Sequence, residues 1–265
     1  MHREHSHAEN TADSAGFPWE GRSFEKHSDA FANDHGETPA ELAAVLRQLK
    51  NAEAELSEAL AVFSKARLLI PLLTVAGDLG ETPDGRIVDK TQELSIVTVK
   101  APDGRSVLPV FSSVAAMRRW NPDARPVPNF GKNVALAALE DGNDLVILDP
   151  GTPETQLGLR RPALWALADD EHYAPSWADD RVLAEFTESI KSEESVDALS
   201  LAPGDPNFDL TSPELLVRLS LQPGLDQAQV AALLGRLQQR WASSEIIAKG
   251  VDSMMLRIES TEQPS

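Results

Sequence analysis

Apolar residues recur every three or four positions at Leu42, Val45, Leu46 and Leu49, and again at Leu56, Leu60 and Phe63. Such spacing puts each set on one face of an α-helix, so two helices, or one bent helix, are predicted to cover a sheet. Thr38-Pro39-Ala40-Glu41 reads as their start, with the Thr38 hydroxyl accepting from the Glu41 N–H, Glu41 reaching back, and proline suiting the first helical turn. The pattern then becomes a nearly continuous apolar run over residues 67–75, a strand. Pro71 has no N–H to give to a ladder, which predicts an edge position or a bulge. After a polar connection turning at Pro83-Asp84-Gly85, residues 93–100 and 105–111 read as a hairpin across Ala101-Pro102-Asp103-Gly104.

Residues 107–151 carry the clearest order: strand, helix, irregular link, helix, strand. Leu108-Pro109-Val110-Phe111 runs straight into Ser112-Ser113, where Ser113 caps a helix bearing Val114, Met117 and Trp120. A second helix is predicted over 130–140, a strand over 145–148, and a last strand over 163–168. Beyond the charge run Asp169-Asp170-Glu171, Ser176-Trp177-Ala178-Asp179 fits another capping box before Val182, Leu183, Phe186 and Ile190. Strands follow at 195–201 and 215–221. A helix capped by Asp226 carries Val230, Leu233, Leu234, Leu237 and Trp241, and a strand over 252–258 closes the pattern.

These elements predict an α+β fold, a mixed or antiparallel sheet covered by helices and followed by a smaller α+β domain. The expected organisation is a flexible histidine-containing arm at 1–37, a domain at 38–168, a linker at 169–178, a second domain at 179–260 and a tail at 261–265. The arm holds five of the six histidines and lacks hydrophobic periodicity, so it has little apolar surface with which to offset its ordering entropy. Phe17 and Trp19 are its exceptions and the candidate partner-binding residues.

Charge and composition narrow the chemistry. With 24 Lys and Arg against 42 Asp and Glu, the net charge of −18 repels phosphate backbones and anionic lipid, so neither nucleic acid nor membrane is an expected partner. The absence of cysteine removes thiol catalysis, disulfides and thiolate metal sites. No signal peptide or membrane span is evident, and a cytoplasmic location is expected. Phe130-Gly131-Lys132-Asn133 lacks the second glycine and the hydroxyl residue of a phosphate-binding loop. His172 is the one histidine outside the arm, which leaves no candidate for a serine triad. His2, His5, His7, His27 and His35 have no spacing that holds a metal, so no metal and no cofactor are expected. Arg118, Arg119, Arg125 and Lys132 stand out from the acidic background beside a helix start and are the candidate anion- or carboxylate-binding residues. No catalytic residues are expected.

With those residues in view, residues 38–168 resemble the SseB family amino-terminal domain. The likeness rests on Leu108-Pro109-Val110-Phe111-Ser112-Ser113 and on Leu145-Val146-Ile147-Leu148-Asp149-Pro150-Gly151, where many relatives have Asn at the first position of the last tripeptide. Residues 175–260 resemble the SseB carboxy-terminal domain, and Gly16-Phe17-Pro18-Trp19-Glu20-Gly21-Arg22 resembles the lead-in of actinobacterial members. The resemblance implies no catalytic residues. Three readings stay open: a non-enzymatic protein-binding or regulatory protein, with the strand at 68–75 offering an edge for an added strand; a sensor or enzyme for an amino acid or carboxylate at Arg118, Arg119, Arg125 and Lys132; and a structural component steered to a basic partner by its acidic surface.

Overall fold

The structure is a computed structural model that describes residues 31, 34–75, 80–81, 87–88 and 93–260. Phe17 and Trp19, the histidines at 2, 5, 7 and 27, and the turn at Pro83-Asp84-Gly85 lie outside the described residues. Helices α1 (Ala40–Lys50) and α2 (Leu56–Lys65) are separate and bury the faces their spacing predicts, Leu42, Val45, Leu46 and Leu49 on the first, Leu56, Leu60 and Phe63 on the second. Thr38 does not cap α1. Pro39 occupies the cap position, and the Thr38 hydroxyl instead lies 2.9 Å from that of Ser112.

Strand β1 (Arg67–Val75) is not an edge. Its later residues pair with β4 (Glu93–Ile96), and on its other side it pairs with β7 (Arg125–Phe130); both pairings are antiparallel. Two bonds of 2.8 and 2.9 Å between Leu69 and Phe111 flank its first half on the β4 side. Pro71 fits inside the sheet because it stands opposite Pro126, and pairing with β4 begins one residue later at Leu72. Its missing donor therefore falls in a gap of the ladder, and the edge offered for an added strand does not exist.

The strand at 93–100 splits into β4 and β5 (Val99–Lys100), which forms the expected hairpin with β6 (Ser106–Val110). Helix α3 (Val114–Trp120) is capped by Ser113, whose Oγ accepts from the Ala116 N–H. β7 follows in place of the irregular link, then α4 (Gly131–Glu140) and β8 (Leu145–Leu148), which returns parallel to β6. Gly131 serves packing, because a Cβ there would lie 1.9 Å from the Phe63 carbonyl oxygen. The strand expected at 163–168 is a helix, α5 (Arg161–Asp169), with Ala163, Leu164 and Leu167 buried at helical spacing. The actual strand is β9 (Leu157–Arg160), antiparallel to β8. A core built from α1, α2, α4, α5 and the strands β1, β6, β8 and β9 fills this part.

Helix α6 (Asp180–Ile190) starts three residues later than the Ser176 box implies. Asp179 caps it, while Ser176 is buried and donates elsewhere. Strands β10 (Val196–Pro203), β11 (Leu215–Leu221) and β12 (Met254–Ser260) form a sheet in that order, antiparallel then parallel. The crossover from β11 to β12 runs through α7 (Gln227–Ser243), held by a complete capping box at Asp226 and Gln229, and through α8 (Glu245–Gly250), which the pattern gave no sign of. A second core gathers Val182, Phe186, Val217, Leu219, Leu237 and Trp241. All these elements belong to one compact unit, Gly36–Ser265, with an α+β architecture. Among the described residues no helix is long and apolar enough to cross a membrane.

Candidate functional site: a charged cleft over a buried ion network

Two arrangements gather polar chemistry. The first lies at the carboxyl ends of the parallel strands β6 and β8, the end at which open parallel sheets commonly bind ligands. There Asp149, buried and held at φ +46°, accepts from the Ser112 N–H at 2.8 Å and from the Ser112 hydroxyl at 2.5 Å. Arg67 donates to the Ser112 carbonyl at 2.7 Å and to the carbonyl of Glu37. Both carboxylate oxygens of Asp149 are thus engaged by Ser112. This is a clamp that joins two strand ends to the entry of α1, with neither oxygen turned to a ligand.

The second arrangement is a cleft of about 820 Å³ between α5 and α8, within the ~300–1,000 Å³ range of small-molecule sites. Helix α5 turns Ala163, Leu164 and Leu167 into the core, so Arg161, Trp165 and Asp169 face the cleft, with Trp165 54% exposed. Helix α8 buries Ile247 and presents Glu245, Ile246 and Lys249, with Ile246 40% exposed. Four cations line the cleft and each is matched: Arg161 with Asp144, Arg181 with Asp179 at 2.8 Å, Lys249 with Glu245 at 3.4 Å, and Arg105 with Asp252 at 2.7 Å. The Arg181 side chain holds the Asp179 carboxyl below the usual carboxylate range. Among the described residues Asp169 and Glu171 form no ion pair, though Glu171 adds to the attraction on Arg181, so the cleft carries an acidic surplus beside two exposed apolar side chains. His172 lines it as well.

Beneath the cleft runs a buried network. Arg160, 7% exposed, donates to Asp205 at 2.7 Å, to the Ser212 carbonyl at 2.6 Å, to Asp252 at 3.3 Å and to Ser253 at 3.2 Å. Glu214, 3% exposed, accepts from the Ser176 hydroxyl at 2.8 Å and from the Asp252 N–H at 2.7 Å. Burial pushes the Glu214 carboxyl above its ordinary value, against the pull of those two donors. Burial and the nearby Glu214 carboxylate likewise push the Tyr173 phenol up. A cavity of about 20 Å³ lies between Arg160, Tyr173 and Glu214, enough for one water. The network fastens β9 to the loops that start β11 and β12, and Tyr173, Arg105 and Asp252 carry it to the cleft surface.

The four residues anticipated for an anion site are distributed over three elements. Arg118 and Arg119 end α3, with Arg119 3.4 Å from the Thr152 hydroxyl, Arg125 opens β7, and Lys132 lies in the first turn of α4, paired with Asp170. Arg125 and Phe130 stand at opposite ends of a six-residue strand, about 17 Å at the usual rise per residue. Lys132 lies beyond that far end, and none of the four lines either the cleft or the cavity. Residues 105, 160, 165, 214 and 252, which build the site, are scattered in sequence. The signals that could have found them are an arginine closing an apolar run and a tryptophan on the polar side of a helical pattern.

A family model, the SseB protein N-terminal domain, matches residues 41–166. That stretch is similar to an SseB N-terminal domain. Neither a curated protein nor a solved structure matches the chain. The SseB domain supplies the Ser112–Asp149 clamp and, through Arg105, Arg160, Arg161 and Trp165, one wall and part of the floor of the cleft. The opposite wall, α8 with Asp252, lies beyond the matched residues.

Proposed function

We propose that this is a cytoplasmic, non-enzymatic protein-binding member of the SseB family, with residues 179–260 as its carboxy-terminal domain, and that it holds a basic segment of a partner protein in the α5–α8 cleft. The observation that carries the reading is the composition of that cleft: every lining Arg and Lys is already paired, Asp169 and Glu171 are left over among the described residues, and Trp165 on one wall and Ile246 on the other are exposed. A lysine or arginine can neutralise the surplus and lie over the indole face, while an adjacent apolar side chain covers Ile246. Exposed tryptophan is a typical anchor of such contacts. The net charge of −18 adds long-range attraction for a basic partner.

The test is binding of fluorescent nonapeptides, basic with one central leucine or acidic with the same leucine, to the full chain. Basic peptides should bind, more weakly as salt rises, and Trp165→Ala should weaken them at least tenfold, about 1.4 kcal/mol. Equal binding of acidic peptides, or no change in both Trp165→Ala and Ile246→Glu, would refute the assignment.

A further inference from the structure

Long edge strands with unpaired N–H and C=O groups pair readily with other chains, and natural sheets blunt them with proline, bulges, charges or cover. Most edges among the described residues are blunted or short. β7 carries Pro126 and Pro128. β10 has a bulge between Val196 and Ala198, with the exposed Asp197 inside it, and ends on Pro203. β9 has four residues, and its Gly158 N–H is taken by the Phe208 carbonyl at 2.6 Å. The strands β2 (Gly80–Glu81), β3 (Ile87–Val88), β4 and β5 have four residues or fewer. β12 is seven residues long, contains no proline, shows no bulge against β11, and exposes Met254 and Ile258 to 38% and 43%.

The hydrogen-bond parity of β12 follows from one bond. Leu215 is in register with Met254, and its N–H donates to the Ser253 carbonyl at 3.0 Å. In a parallel pair, alternate residues turn both backbone groups toward the neighbouring strand. Ser253, Met255, Arg257 and Glu259 therefore face β11, and Met254, Leu256 and Ile258 turn their N–H and C=O groups outward. The same three side chains share the helix-covered side of the sheet, where Leu256 packs on the second core.

We propose that β12 is a self-association edge, on which the β12 of a second copy adds antiparallel about a twofold axis at Leu256 to make one six-stranded sheet. About that axis Met254 stands opposite Ile258 of the other copy, Leu256 opposite its own counterpart, and Ile258 opposite Met254. All three are outward-turned positions, so they form hydrogen-bonded pairs and close three apolar cross-strand contacts on one face. An axis at Arg257 overlaps more of the strand but sets that arginine against its own copy, an unfavourable like-charge pair. Self-complementarity in both backbone parity and side-chain type is what selects a second copy as the occupant. This site is separate from the cleft and does not rest on the partner assigned there.

The experiment is sedimentation of the full chain from 1 to 100 µM, together with oxidation of single-cysteine variants in this cysteine-free sequence. The wild type should reach twice the 28.7 kDa of the chain, and Ile258→Lys and Met254→Lys, both at exposed positions, should remain monomers with an unchanged circular dichroism spectrum. Leu256→Cys should form an intermolecular disulfide, because opposed residues of a hydrogen-bonded pair have Cα atoms about 5.5 Å apart. A monomeric wild type at 100 µM, dimers that persist in both lysine variants, or a disulfide at Arg257→Cys in preference to Leu256→Cys would overturn the proposal.

Discussion

Replacing Arg160 with methionine tests whether the buried network holds the fold together. The side chain is 8% exposed and its two carboxylate partners, on Asp205 and Asp252, are 6% and 4% exposed, so little solvent screening acts on the pairs. Breaking a buried pair by removing one partner costs about 3–5 kcal/mol, chiefly because the remaining charge is left without compensation. The low end applies here. Asp205 keeps the N–H groups of Asp209 at 3.2 Å and Leu210 at 2.9 Å, and Asp252 keeps two bonds from Arg105 at 2.7 and 2.9 Å. A loss of about 3 kcal/mol should lower the urea midpoint by roughly 1–1.5 M at an m-value of 2–3 kcal/mol/M. The melting temperature should fall by about 6–12 °C for a unit of this size. Tryptophan fluorescence and far-ultraviolet circular dichroism should be followed together, because coincident transitions are required before one free energy is quoted. Asp205→Asn should then cost at least about 1 kcal/mol less in the Arg160→Met background than in the wild type, as expected of directly coupled residues. An Arg160→Met protein within about 1 kcal/mol of wild type, or strict additivity of the two changes, would refute the network as a structural tie.

Two further outcomes follow from the same geometry. Asp149→Ala should cost about 3 kcal/mol in urea unfolding, since it strands the buried Ser112 N–H, leaves the Ser112 hydroxyl only Thr38 as a partner and puts Ala in left-handed backbone, while Asp149→Asn should cost under about 1 kcal/mol because Asn adopts that backbone readily and can still bond both groups of Ser112; equal losses would contradict the clamp. Glu214 has a folded-state pKa raised by burial, so its contribution to stability is intact below the unfolded carboxylate value and is lost as pH rises through the folded one. Glu214→Gln, whose amide can accept from the Asp252 N–H and donate to Ser176, should therefore gain on wild type in denaturation curves as pH rises above the ordinary carboxylate range, and parallel pH profiles for the two proteins would reject the assignment.

What the sequence shows of this fold depends on how local the cause is. The faces of α1, α2 and α7, the caps Ser113 and Asp226, and the strands at 145–148 and 215–221 are set by periodicity and by one or two neighbouring residues, and each is readable, whereas on α6 Val182 and Phe186 are buried but Leu183, expected on the same face, is exposed. β7 is obscured because Pro126 and Pro128 argue against a strand, yet both are accommodated by pairing with β1 alone. Helix α5 reads as a strand because its apolar residues are crowded into six positions, and only the burial of Ala163, Leu164 and Leu167 on one face resolves the period. Thr38 and Ser176 look like caps by spacing. Each finds a stronger tertiary partner, Ser112 and Glu214, which local pattern cannot anticipate.

The same distinction explains why the residues that carry the family resemblance are not those of the cleft. Ser112 and Asp149 are close to strand ends that sequence pattern marks well, and their hydrogen bonds are directed at each other. That satisfies a buried carboxylate, which would otherwise carry a large desolvation cost, and it withdraws both oxygens from chemistry. The proposed recognition uses what remains open: Asp169 and Glu171, without an ion pair among the described residues, Trp165, and Ile246 on α8. Since α8 lies outside residues 41–166, the matched domain alone supplies one wall of the cleft. Partner choice on this reading is set jointly by the two walls, and variation in α8 should change which basic segment binds while leaving the Ser112–Asp149 clamp unaltered.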